Sequence, residues 1–556
     1  MTASDRIWQR AGRRAYAADR VRRAARPPVI VTPLGDDVEA RIDVEVPVRD
    51  GTILRANVFL PRGAGPLPAI VSAHPYGKDA VPANTRDGRG LNVQYHLLRQ
   101  PTPITFSDHT SWEAPDPAVW TGFGYAVVNL DVRGAGRSDG SGDLLSDQEA
   151  DDIHDVVEWV AAQPWCDGGV GMLGVSYLAI SQFKTAATRP PHLRAIVPWE
   201  GFTDAYRDLF TPGGVEERGF SLLWTNLVRQ GMRQTHDFGA ERAQHPVDDA
   251  WWRSLVPDLE RIEVPMLVCG SFSDDNLHTR GSFRAFARAG SAERHLYTHR
   301  GGKWATFYGA DAVAAQRAFL DRHLKGAATE VPVVRLEVRE RGDVVAEVRE
   351  ENEWPLARTQ WRTLALSADR RLVPPGDAAS GSVRFRARRA APEFRYRFAE
   401  DTEVTGPLSV RLRASVEGMD DASLFVGVSK WAGDRFIGFE GSYGFGRDLV
   451  TTGWQRLAFR TPLSGDPHVP DHDLSEPRLL APGEIADVEV ALGPSATLFR
   501  AGEELRLHVS GRPLSPVNPL FGSFPARYRP GPDGWITLHL GGPTPADLAL
   551  PVIPRA

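Results

Sequence analysis

Cysteine is nearly absent. The 556 residues contain two, Cys166 and Cys269, which excludes a disulfide framework and leaves two reduced thiols expected beside buried strands. Long hydrophobic runs are also missing. Nothing approaches the roughly 18 consecutive apolar residues of a membrane-spanning helix, and Met1 to Arg26 lacks the apolar core of a secretory leader. Positive charge is not in excess, since 65 basic residues face 71 acidic ones for a net charge of −6, so nothing points to a nucleic-acid partner. No fixed-period repeat is found. These absences lead us to expect a cytoplasmic protein with no membrane or nucleic-acid partner. They leave a homo-oligomer open.

What is present is length, and 556 residues are too many for one core, so two or three domains are expected. Residues 1–30 form a basic segment in which Arg6, Arg10, Arg13, Arg14, Arg20, Arg22, Arg23 and Arg26 flank Ile7, Trp8, Tyr16 and Val21. It reads as a surface helix. Ile42–Val48 and Leu54–Leu60 alternate apolar and polar residues around Asp50-Gly51, a hairpin signal. Apolar strands follow at 69–73, 125–130, 170–173, 195–198, 265–270 and 294–298, with helical patterns between them. Ser146 and Glu149 form a capping box before a helix whose Ile153, Val156, Val157 and Val160 share one face. Strands alternating with helices predict a parallel sheet covered on both faces, with ligands bound outside the carboxyl ends of its strands. This α/β rhythm occupies residues 31–199 and 262–326. Residues 200–261, rich in aromatic and helix-like pieces, read as an inserted helical cap. Residues 327–556 consist of short alternating strands punctuated by Pro and Gly, the pattern of a β-sandwich.

The chemistry is expected just past the strand ends. In Gly174-Val175-Ser176-Tyr177 the strand passes abruptly into a helix, a turn that presents a serine hydroxyl and free N–H groups. Leu178 stands where the second glycine of G-x-S-x-G would be. A serine needs a base, and the base needs a carboxylate to orient it. In this topology they follow the serine, carboxylate first. Asp274 follows the strand 265–270, with Asp275 as its alternative. His299 follows the strand 294–298 and is the best-placed base. His278, His295 and His323 compete with it, His278 lying in a helix expected to begin near Asn276. The Tyr177 N–H and the Tyr76 phenol are candidate oxyanion donors. Asp131 and Arg133 read as loop anchors.

With these residues in view, the chain resembles the cocaine-esterase and X-prolyl dipeptidyl-peptidase-like (CocE/NonD) group of α/β-hydrolases. The resemblance rests on His74-Pro75-Tyr76-Gly77-Lys78, Gly124 to Val128, Asp131-Val132-Arg133-Gly134, Trp165 to Gly168, and above all Val170 to Tyr177. It implies an α/β-hydrolase sheet, a helical cap and a C-terminal jelly roll. It implies Ser176 as nucleophile, Asp274 and His299 as its partners, Tyr76 and Tyr177 as oxyanion donors, and no metal or cofactor. Two departures stand out. Relatives carry a Gly-Pro-Trp-x-His stretch whose histidine aligns, without a gap, with Lys303. Relatives acting on α-amino esters carry acidic residues where Asn276 and Leu277 stand here. The expectation is a serine carboxylesterase acting on small-molecule esters, with an apolar pocket of Trp199, Phe202, Tyr206 and Trp304. An amidase or X-Pro peptidase is the rival enzyme, and a binding protein that has lost catalysis is the rival of another class.

Overall fold

The computed structural model describes residues 28–82, 91–97, 100, 102–342, 344–389, 391–439, 441–442, 448–463, 465–514, 527–542 and 546–554, with positions 18, 21, 22 and 25. The basic segment expected over 1–30 lies almost wholly outside them. The first hairpin pairs β1 (Val38–Pro47) with β2 (Ile53–Pro61), antiparallel. The turn between them uses Gly51 at φ +84°, a backbone region that L side chains avoid. Then come β3 (Leu67–His74), β4 (Ala126–Asp131), α1 (Asp147–Ala161), β5 (Cys166–Val175), α2 (Tyr177–Ala187) and β6 (Leu193–Trp199). After the inserted region follow β7 (Met266–Ser271), α3 (Thr279–Arg288), β8 (Arg294–His299) and α4 (Ala310–Lys325). Their order across the sheet is β1, β2, β4, β3, β5, β6, β7, β8, parallel from β4 onward.

Both faces of this sheet are apolar because both are covered. Ala69, Val71, Val128, Met172 and Ile196 face one side with α1 and α2. Ile70, Val127, Leu173, Val197 and Trp199 face the other, under Phe319 and Leu320 of α4. The alternation follows the period of two along each strand. At the start of α1, the Glu149 N–H donates to Ser146 Oγ at 3.2 Å. The Glu149 carboxylate turns instead to the Leu145 N–H and the Tyr177 hydroxyl, each at 2.7 Å. Asp131 and Arg133 do anchor loops. Asp131 accepts from the backbone N–H of Lys78 and Arg137, and Arg133 grips both oxygens of Asp152 at 2.7 and 2.6 Å.

Between β6 and β7 lie short helices, among them Phe220–Gly231, Phe238–Gln244 and Ala250–Ser254. They pack Phe210, Trp224, Phe238 and Trp252 over the strand ends. The sheet does not stop at β8. Strand β9 (Val334–Arg341) pairs with it in parallel and leads into the C-terminal all-β region. There β10 (Thr402–Glu417) runs antiparallel to β12 (Ala486–Phe499), and β11 (Ser423–Ala432) to β13 (Glu504–Ser510). Leu408, Val410 and Leu412 meet Leu424, Val426 and Leu507 in a core of its own. Both cysteines are buried and unbridged. Among the described residues, no helix is long and apolar enough to cross a membrane.

Candidate active site

Ser176 sits between β5 and α2 at φ +59°, ψ −116°, a strained conformation for a residue with a side chain. The local sequence explains how the turn holds. A Cβ on Gly174 would lie 2.4 Å from the Cβ of Leu178, so glycine at 174 is what permits leucine at 178. The Ser176 N–H donates to the Trp199 carbonyl at 3.0 Å, fixing the turn to β6. Tyr177 opens α2, and its N–H belongs to the first turn, whose donors have no partner within the helix.

Past β7 the chain wraps tightly around one residue. The N–H groups of Leu277, His278 and Thr279 all converge on the Asp274 carbonyl at 3.0–3.1 Å. The helix therefore begins at Thr279 rather than near Asn276. One helical turn separates Asp274 from His278, so the two side chains meet, Asp274 Oδ2 lying 2.5 Å from His278 Nδ1. The opposite ring nitrogen, Nε2, is 3.1 Å from Ser176 Oγ. The ring stacks on Phe202, with planes 13° apart.

His299 does not reach the serine, which corrects the expectation that it is the base. Its Nε2 is 3.1 Å from Glu200 Oε1, and its Nδ1 accepts the Gly301 N–H at 3.1 Å. Both nitrogens are thus engaged away from Ser176. The reason lies in the loop after β8, where position 303 carries lysine. Lys303 reaches into the space under the His278 ring, its Nζ 2.8 Å from both Asp274 Oδ2 and His278 Nδ1 and 3.8 Å from Glu200 Oε2. Of the other competing histidines, His295 bonds the Pro332 carbonyl and His323 lies 3.3 Å from Glu293, both away from the site. Asp275 points the other way, accepting from the N–H and hydroxyl of Thr452 in the all-β region.

That region also buttresses the site. The Ser442 hydroxyl donates to Glu200 Oε2 at 2.9 Å, its N–H donates to the Ser273 hydroxyl, and its carbonyl accepts the Lys303 N–H. Five ionisable side chains, Asp274, His278, Glu200, His299 and Lys303, are thereby enclosed together. Burial acts to raise the Asp274 carboxyl, but Lys303 and His278 outweigh it and hold it below the ordinary range. Glu200 is lowered likewise, with Lys303 and His299 overcoming burial. Burial acts to lower Lys303, and its two carboxylates more than reverse this. His278 is lowered, by burial first and Lys303 second, against the opposing pull of Asp274.

Ser176 opens onto a cleft of about 110 Å³ lined by Tyr76, Trp112, Glu113, Trp224, His278, Lys303 and Trp304, among others. A smaller apolar hollow beside it is lined by Ile180, Phe202, Leu209 and Leu277. The Tyr76 hydroxyl, at the end of β3, accepts from Trp224 Nε1 at 3.1 Å, which leaves its own proton to donate. Burial pushes this phenol well up, so it stays protonated. Of the four aromatic residues expected in the pocket, Trp304 lines the cleft and Phe202 the hollow beside it. Trp199 lines neither. It is the last residue of β6, and alternation turns it to the opposite face, against Tyr297 and Phe307. Tyr206 lies deeper in the inserted region, its ring tilted 57° against that of Trp252 and its hydroxyl on the Pro246 carbonyl. Glu113 was not anticipated from sequence. It holds φ +63°, accepts from Trp304 Nε1 at 3.3 Å, and is pushed up to about 8 by burial. Its environment is assembled from distant segments, and no local motif announces it.

The chain matches two described families. Residues 50–302 match X-Pro dipeptidyl-peptidase (S15 family), and residues 326–519 match the X-Pro dipeptidyl-peptidase C-terminal non-catalytic domain. Cocaine esterase from Rhodococcus sp. (strain MB1 Bresler) is 25% identical over 617 residues, covering 92% of this chain and 98% of its own. A CocE/NonD family hydrolase from Staphylococcus aureus superposes with a TM-score of 0.87 at 29% identity, covering 96% of this chain and 100% of its own. An α-amino acid ester hydrolase, 17% identical, shares the fold at a TM-score of 0.68 over 94% of this chain and 98% of its own.

Proposed function

Because this chain belongs to the cocaine-esterase and X-prolyl dipeptidyl-peptidase-like family of α/β-hydrolases, and is a serine hydrolase of ester or amide bonds, we propose that it cleaves small carboxylic esters with a triad of Ser176, His278 and Asp274. The observation that carries this reading is the unbroken chain from Ser176 Oγ to His278 Nε2 and from His278 Nδ1 to Asp274 Oδ2, at 3.1 and 2.5 Å.

The steps follow from that chain. Ser176 Oγ attacks the ester carbon while His278 Nε2 takes its proton. Asp274 keeps the other ring proton on Nδ1 and stabilises the imidazolium. The Tyr177 N–H and the Tyr76 hydroxyl hold the oxyanion. The imidazolium gives its proton to the leaving alkoxide, and the acyl group remains on Ser176. Water, deprotonated by the same nitrogen, then releases the acid. The hollow under Phe202 and Leu277 has room for little more than a water-sized group, so the substrate is received in the cleft edged by Trp112 and Trp304, which suits a flat or aromatic group. An ester is favoured over an α-amino acyl or X-Pro substrate because Asp275 is turned onto Thr452 and Glu113, at about 8, is largely protonated at neutral pH. Neither offers a ready carboxylate to a substrate ammonium.

The test is hydrolysis of p-nitrophenyl esters by the full chain and by Ser176→Ala. A loss on the order of 10⁴-fold in kcat is expected, and undiminished turnover would reject the triad. A matched X-Pro p-nitroanilide should turn over far more slowly. A preference for it would replace the esterase reading with the peptidase one.

A further inference from the structure

Lys303 occupies the place that the sequence resemblance gives to a histidine, and it is enclosed, with 2% of its side chain exposed. Burying an ammonium is costly unless its charge is met. Here two carboxylates meet it, Asp274 at 2.8 Å and Glu200 at 3.8 Å. Asp274 Oδ1 has no hydrogen-bond partner, while Oδ2 carries both the His278 ring and the Lys303 ammonium. One oxygen alone would let the carboxylate swivel. The ammonium gives it a second fixed contact at the oxygen that orients the imidazole. It also lies 2.8 Å from Nδ1, so with both nitrogens protonated the two donors share Asp274 Oδ2 rather than bond each other.

We propose that Lys303 is a positioning residue, which fixes the Asp274 carboxylate under the His278 ring and balances the buried charge of the cluster. The inference rests on the triad read above. Charge counting gives it content. With Asp274 and Glu200 ionised and Lys303 protonated, these three side chains carry −1, and together with His278 they reach zero when it becomes imidazolium. Without the ammonium, the enclosed groups would carry −2 and would take up a proton more readily. Whether His278 or a carboxylate took that proton, the base or its orienting anion would be lost. The groups facing His278 are Asp274 from its own loop, Lys303 after β8, Glu200 after β6 and Ser176 after β5. Tyr76 and Glu113 line the same cleft.

The experiment is the pH dependence of kcat/KM for an ester in the full chain, in Lys303→Met and in Glu200→Gln. Removing the cation should move the acid limb up by about one pH unit or more, with kcat falling and KM changing little. Removing an anion should move the limb down. Opposite displacements are expected, and a merely structural lysine would lower the amplitude without moving the limb. If Lys303→Met does not fold, as judged by near-UV circular dichroism, Lys303→Gln, which keeps a hydrogen-bond donor but not the charge, takes its place and the same shift is expected. A limb unmoved in the folded variants overturns the proposal. His278→Ala separates the two failures. If it retains activity, the triad itself is wrong. If it is inactive while the limbs stay in place, only the role of Lys303 falls.

Discussion

Two histidine–carboxylate pairs lie side by side at the edge of this sheet. His278 and Asp274 are 2.5 Å apart, His299 and Glu200 are 3.1 Å apart, and all four side chains are buried. They differ at the second ring nitrogen. That of His278 meets Ser176 Oγ, and that of His299 accepts a backbone N–H. A carboxylate beside an imidazole is therefore no sign of a base. What makes a base is a free lone pair within reach of a hydroxyl. His299 spends both nitrogens on holding Glu200 and the loop after β8, and Glu200 in turn meets Lys303 and Ser442.

The contrast can be broken most directly by truncating each ring. His278→Ala should lose about 10⁴-fold in kcat on a p-nitrophenyl ester, close to the Ser176→Ala loss, because members of a triad act as a unit. Labelling by a fluorophosphonate should disappear with it. Next in size is Tyr76→Phe, which removes one oxyanion donor. It should cost about 10²–10³ in kcat with KM little changed, measured by steady-state kinetics. His299→Ala should fall the other way. We expect less than about a ten-fold loss in kcat but about 1–3 kcal/mol of stability, read by urea denaturation, because Glu200 loses a buried donor. If His299→Ala abolished labelling while His278→Ala did not, the comparison would be reversed. The smallest effect is one of position. Burial and Lys303 both disfavour the His278 imidazolium, so its pKa lies below the ordinary 6.5. A base that stays unprotonated at lower pH extends activity downward, so the acid limb of kcat/KM should lie below pH 6.5. A limb above pH 7 would contradict the assignment.

Much of this was legible in the sequence. The apolar runs mark the strands, their alternation with helices marks a parallel sheet covered on both faces, and Ser176 stands at a strand-to-helix turn that glycine at 174 makes possible. The crossed order of β3 and β4 was not legible. Tyr76, Asp274, Phe202 and Trp304 could be placed at the same rim by strand-end reasoning. That reasoning failed where side-chain direction mattered. Trp199 ends a strand but faces the wrong side of the sheet, and Tyr206 is drawn into the packing of the inserted region. It fails again at the base, because a strand-end position favours His299, while the base stands four residues after Asp274. The signal for His278 was present in that spacing. One turn of helix brings residues i and i+4 together, and three N–H groups closing on the Asp274 carbonyl produce such a turn.

By itself, the sequence determined the sheet, the serine at its turn and the acid that follows β7, because these depend on periodicity and on residues close together in the chain. Only the tertiary structure decided which imidazole meets the serine, which aromatic rings line the cleft and which cation lies beneath the acid. Those choices depend on separate segments, Ser176 and His278 102 residues apart and Asp274 and Lys303 29 apart, converging within about 3 Å, and no local pattern encodes a distance across the fold.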